Sequence, residues 1–143
     1  MLNKPIANAP PSGFAEVTWA IPPTIPDARC SVPGGPNLFA GSKVLSPNGK
    51  FSLALQYDGN LVLYRDSTTA VWNTKSYGHP EITHLDSQSL FLNDIHMNAV
   101  WKPFYAYRVK DTPTPLGSIL CVHNDGSLKV YTTGENAQKT VWP

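Results

Sequence analysis

Five residues at alternate positions, Gln56, Asp58, Asn60, Val62 and Tyr64, hold most of the polar chemistry in residues 51–64, FSLALQYDGNLVLY. Together they offer amide donors and acceptors, a carboxylate acceptor, a phenol and one apolar contact. A sugar presents vicinal hydroxyls with C–H patches between them, so it is the natural partner of such a surface. The intervening series Phe51, Leu53, Leu55, Leu61 and Leu63 is apolar with period two. That alternation predicts strands with one face in a core and the other in water. Asp58-Gly59 is a turn signal, which makes the stretch a hairpin. A two-residue loop would pair Gln56 with Leu61 and mix the two faces. A three-residue loop, Tyr57-Asp58-Gly59, pairs Gln56 with Asn60, Leu55 with Leu61, Ala54 with Val62 and Leu53 with Leu63. It also places glycine where the loop needs a left-handed residue.

The spacing Gln56-x-Asp58-x-Asn60-x-Val62-x-Tyr64 matches all five positions of the Q-x-D-x-N-x-V-x-Y motif, and the chain resembles the bulb-type (monocot mannose-binding) lectins. The preceding Ser46-Pro47-Asn48-Gly49-Lys50-Phe51 run and the later Val71-Trp72 are similar to that family as well. The resemblance implies an all-β fold, a β-prism II of three four-stranded sheets with pseudo-threefold symmetry and up to one motif per sheet. It further implies that Gln56, Asp58 and Asn60 bond the hydroxyls of α-mannose, with Tyr64 at the 4-hydroxyl and Val62 against the ring carbons. A polar-faced hairpin without a ligand is the plainer alternative.

An internal repeat supports the three-sheet reading. Residues 84–102 align without a gap under residues 55–73, with Ala99-Val100-Trp101 under Ala70-Val71-Trp72. In that alignment Leu85, Ser87, Ser89, Phe91 and Asn93 replace the five motif residues, and His84 takes a core-facing position. A leucine and a phenylalanine there predict a surface dead to mannose. Residues 119–142 form a third copy, in which His123, Asp125, Ser127, Lys129 and Tyr131 stand at the motif positions. Asp125, Tyr131 and the turn glycine Gly126 are kept. Lys129 in place of the apolar contact could suit a different or acidic sugar, although a solvated strand lysine is the commoner reason for one. Trp72, Trp101 and Trp142 close the three units, and their rings are expected to fill the axis of the prism.

Residues 37–143 are therefore expected to be the lectin-like domain, and residues 1–36 a proline-rich extended arm. That arm holds eight of the fourteen prolines, which excludes helix and favours extended backbone. Residues 15–21 could add one short edge strand. The arm reads either as a flexible leader or as an attachment lying on a neighbouring subunit or larger assembly. Val17 and Trp19 require a docking surface on the second reading, and residues 17–19 could replace the strand that members of the family exchange between subunits.

The net charge of +1 provides no basic field for nucleic acid. The apolar runs are too short for membrane insertion. No secretory signal is seen at the N-terminus, which leaves the localisation open, with action outside the cell or on a released particle, such as a phage or bacteriocin component, as the expectation. Cys30 and Cys121 are too few for a disulfide framework, and their bridging stays open. Gly59 stands where many relatives carry a cysteine, so the bridge usual in that family is absent. His79, His84, His96 and His123 are scattered without metal spacing, and no nucleophile–base pair or cofactor loop is evident. Residues 104–109, with Tyr105 and Tyr107, read as a strand rather than a nucleic-acid platform. These observations favour non-catalytic recognition, and the resemblance implies mannose-type glycans as the ligand of a homo-oligomer or particle component. The alternative is a structural or assembly module.

Overall fold

The computed structural model describes residues 13–103, 118–131 and 138–142. The regular elements among them are all β-strands. Residues 104–109, residues 1–12 and the connection 132–137 lie outside the described residues. Four short strands come first: β1 (Ala15–Glu16), β2 (Ala28–Cys30), β3 (Leu38–Phe39) and β4 (Ser42–Leu45). Three meanders follow: β5 (Phe51–Leu55), β6 (Leu61–Arg65) and β7 (Thr69–Asn73); β8 (His84–Leu85), β9 (Leu92–Asn93) and β10 (Ala99–Trp101); β11 (Ile119–His123), β12 (Leu128–Tyr131) and β13 (Gln138–Trp142).

Each meander takes its fourth strand from the early part of the chain. Strand β4 pairs with β5, β3 with β8 and β2 with β11, giving the orders β4-β5-β6-β7, β10-β9-β8-β3 and β13-β12-β11-β2. Strand β1 lies parallel to β4 and adds a fifth strand to the first sheet. The all-β, three-sheet architecture matches the expectation. The expected division at residue 36 runs between β2 and β3, so residues 28–30 belong to the third sheet rather than to an arm.

Apolar residues from all three sheets share one core. Leu53, Leu55, Leu61 and Leu63 meet Leu38, Leu85, Leu90 and Leu92 from the second sheet, and Leu120, Val122, Leu128 and Val130 from the third. The tryptophans that end the repeats are only half-buried against this core. The indole inside it is Trp19, 1% exposed, with Nε1 donating to Pro36 O at 3.1 Å. The reason is geometric: a Trp that ends a strand at the sheet edge can cover the core, whereas Trp19 arrives on a separate segment and can enter. The docking surface that Trp19 requires is thus the core of its own chain. Arg29 anchors the same segment, donating from Nε to Leu45 O at 3.0 Å and from an Nη to Trp19 O at 3.2 Å. Cys30 and Cys121 face each other on β2 and β11 and form a disulfide across 91 residues.

Candidate functional site

The first hairpin has the register that side-chain parity predicts. Leu55 pairs with Leu61, Ala54 with Val62 and Leu53 with Leu63. Gln56 N donates to Asn60 O at 2.9 Å and Gly59 N to Gln56 O at 3.0 Å, which closes the loop 57–59. Gly59 has φ +89°, a conformation that costs glycine nothing. The five motif residues therefore lie along one hairpin, from Asp58 in its turn to Tyr64 opposite Ser52. Gln56 Nε2 donates to the Tyr64 hydroxyl across it. Asp58 Oδ1 accepts from Asn60 N at 3.0 Å, so its carboxylate also braces the turn. Burial, and secondarily the charge of Asp58, push the Tyr64 phenol up to about 12, against the lowering effect of the Gln56 bond. Tyr64 is consequently a neutral hydrogen-bonding group at physiological pH.

The motif face does not look onto water, contrary to the expectation from alternation. Gln56, Asn60 and Val62 are 0% exposed and Tyr64 is 1% exposed. Two segments that strand periodicity cannot reveal lie close to it. Phe14 packs on the satellite cluster of Ala54, Val62 and Tyr64, and its ring stands edge-on to Tyr57 with centroids 5.9 Å apart. Residues 74–76 engage the Asn60 carboxamide, whose Oδ1 accepts from Ser76 N at 3.2 Å and Thr74 Oγ1 at 3.3 Å. The Ser76 amide must meet an oxygen, which orients the carboxamide. Asn60 Nδ2 is then a buried donor with no hydrogen-bond partner among the described residues. Leaving such a donor unmet costs about 1–3 kcal/mol.

The second hairpin departs from the gapless alignment. His84 pairs with Asn93 and Leu85 with Leu92, and Asp86 N donates to Phe91 O at 2.9 Å. By register, Leu85 and Leu92 match Leu55 and Leu61. Asp86, Phe91 and Asn93 therefore occupy the places of Gln56, Asn60 and Val62. The cause is one extra residue in the turn, where Leu90 takes φ +60° and is fully buried. Leu85 thus belongs to the core. His84 lies on the opposite side, in ring contact with the exposed Phe39. Ser87 is also turned inward, with Oγ donating to Gly35 O at 2.8 Å. Ser89 Oγ donates to Asp86 Oδ2 at 3.1 Å, and Lys102 Nζ stands 5.4 Å from the centre of the Phe91 ring.

The third hairpin repeats the first in register: Val122 pairs with Leu128 and Cys121 with Lys129. His123 N donates to Ser127 O at 2.9 Å. His123 Nε2 lies 3.1 Å from the Tyr131 hydroxyl, the counterpart of the Gln56–Tyr64 bond. Asp125 Oδ1 accepts from Ser127 Oγ at 2.6 Å and Ser127 N at 2.9 Å, and these bonds hold its carboxyl below the usual range. Burial, then the charge of Lys129, push the His123 imidazole down. Burial, then Asp125, push the Tyr131 phenol up. A cavity of about 350 Å³ opens beside this hairpin, lined by Asp27, His123, Asn124 and Asp125. Asp27 comes from the segment entering β2, and no repeat pattern marks it.

No family model matches the sequence, and no curated protein matches it. The solved structures do contain matches. The chain is similar to the Japanese Marasmius oreades lectin, at 20% identity and a TM-score of 0.60, over 90% of this chain and 92% of that one. It is also similar to a monomeric monocot mannose-binding lectin from Gastrodia elata, at 23% identity and a TM-score of 0.54, over 81% of this chain and 92% of that one. The mannose-specific agglutinin of snowdrop (Galanthus nivalis) bulbs, solved with methyl-α-D-mannoside, matches at 23% identity and a TM-score of 0.54, over 78% of this chain and 94% of that one. The class of fold is therefore the β-prism II of the bulb-type lectins.

Proposed function

We propose that the protein recognises carbohydrate without catalysing a reaction, and that its first-choice ligand is α-mannose or a mannose-containing glycan at the first hairpin. The observation that carries this reading is Asn60, a buried amide whose Nδ2 has no acceptor among the described residues and which sits among the other four motif residues. A sugar hydroxyl is an acceptor of the right size. By likeness to the bulb-type lectins, Gln56, Asp58 and Asn60 meet the sugar hydroxyls, Tyr64 meets the 4-hydroxyl, and Val62 packs on the ring carbons. An epimer would leave buried polar groups unmet, which is how such a site discriminates. The snowdrop agglutinin, solved with a mannoside, supports the choice of sugar.

One site with few contacts binds a monosaccharide at roughly millimolar Kd. Useful avidity then requires several copies on one object, by oligomerisation or by display on a particle. The third hairpin, with His123, Asp125, Ser127, Lys129 and Tyr131, is a second candidate site of different specificity. A glycan array with Asn60→Asp as control tests the reading. The aspartate keeps an acceptor for Thr74 and Ser76 and replaces the unmet donor by a carboxylate oxygen, which adds a buried charge, so an unchanged fold is checked alongside. Mannose-type binding that this substitution abolishes is the expected result; binding indifferent to it removes the first hairpin from the account.

One observation favours the alternative, a structural or assembly module: the motif side chains are buried, as those of a packing surface would be. Absence of binding to every glycan on the array, with the fold intact, leaves that reading.

A further inference from the structure

The segment that packs on the Val62 and Tyr64 end of the motif is built differently from the rest of the early chain. From Trp19 onward the backbone is anchored: the indole is in the core, Cys30 N donates to Ala20 O at 2.7 Å, and β2 is bonded and disulfide-linked to β11. Residues 13–16 have little of this. Strand β1 is two residues long, both side chains are exposed, and among the described strands it pairs with β4 alone. The backbone bonds Ala15 N to Gly41 O at 3.2 Å and Val17 N to Lys43 O at 2.8 Å hold it down. Among the described residues its large apolar contact is Phe14, which packs on the outer cluster of Ala54, Val62 and Tyr64 and touches Tyr57. That cluster is separate from the main core, so lifting residues 13–16 leaves the core intact. Short edge elements with few buried contacts are the ones that open locally at low cost.

We propose that residues 13–16 are a self-occupying strap, in which the Phe14 ring takes the place on Val62 and Tyr64 that the apolar face of a bound sugar would take. This inference rests on the carbohydrate reading of the first hairpin and names its regulation. Phe14 and a pyranose ring compete for the same apolar ridge, so sugar binds only the fraction of molecules whose strap is lifted. The apparent Kd is the intrinsic Kd divided by that fraction. Anchorage at Trp19 keeps the strap close, and any partner that captures residues 13–16 would raise sugar affinity without touching the sugar.

The test compares the full chain with Phe14→Ser, using methyl-α-D-mannoside as probe, calorimetry for affinity and NMR for the strap. Phe39→Ser, on an exposed ring of the second sheet, is the control. The expected result is binding at least about tenfold tighter in Phe14→Ser than in the wild type or the control. In the wild type, the edge-on contact of Phe14 with Tyr57 should vanish as sugar saturates. Equal affinity in wild type and Phe14→Ser, with the contact persisting at saturation, overturns the strap and leaves the carbohydrate reading standing. Hydrogen exchange without sugar separates the two failures. Ala15 N–H should exchange orders of magnitude faster than Leu63 N–H, and equal protection overturns the strap whatever the sugar does. Fast exchange at Ala15 with no binding by either form overturns the carbohydrate reading, and with it the competition proposed here.

Discussion

His123 Nε2 lies 3.1 Å from the hydroxyl of Tyr131, bridging the third hairpin where Gln56 and Tyr64 bridge the first. Two different pairs thus perform one structural task, bracing a three-residue turn from its polar face. The substitution of His123 for a glutamine position preserves the brace but makes it titratable.

That difference has a pH signature. The folded environment lowers the His123 pKa, through burial first and Lys129 second. A histidine depressed in the folded state contributes stability that is full above its unfolded value, near 6.5, and is lost as pH falls through the folded value. His123→Gln supplies the residue of the first hairpin and removes the proton. The variant should lose less of its thermal stability than the wild type between pH 7 and pH 4, as read by parallel melting curves. Curves that stay parallel throughout would show that His123 carries no such linkage.

Trp19 is the most informative single core position. Truncating a fully buried Trp costs about 3–5 kcal/mol, and Trp19→Ala also leaves Pro36 O without its donor. Urea unfolding should register a loss of that size. A loss below about 1 kcal/mol, the range of surface substitutions, would place Trp19 outside the core.

Gly59 and Gly49 both have positive φ, +89° and +76°, yet they predict different outcomes. A Cβ at Gly59 would lie 2.2 Å from His79 O, a backbone atom that moves only with its segment, whereas a Cβ at Gly49 meets nothing within 4 Å among the described residues. Gly49→Ala should cost only the left-handed strain, about 1–2 kcal/mol. Gly59→Ala should cost clearly more and displace the 76–79 segment, which chemical shifts of Ser76 and His79 would report. Equal costs for the two would refute the close approach.

The disulfide ties the fourth strand of the third sheet to its neighbour. Replacing Cys30 and Cys121 together by alanine should lower stability by about 2–5 kcal/mol, with β2 amides losing protection before those of β5 and β6. Protection lost uniformly would mean that β2 is held by packing alone.

The sequence by itself determined the first hairpin down to its register, because period-two alternation and the Asp-Gly turn allow one pairing that keeps the leucines together. The same logic carried over to the third hairpin, where length and turn glycine are kept. Single-chain periodicity failed at the second hairpin, because an extra turn residue, accommodated by Leu90 at φ +60°, shifts the frame while the leucines still alternate. Only the tertiary structure decided what lies over the motif and what fills the core. Phe14 and Trp19 sit in a proline-rich stretch with no periodic pattern, and their burial depends on surfaces assembled from residues far along the chain. Alternation specifies which side chains share a face of a sheet; whether that face meets water or another segment is settled by the segments that pack against it.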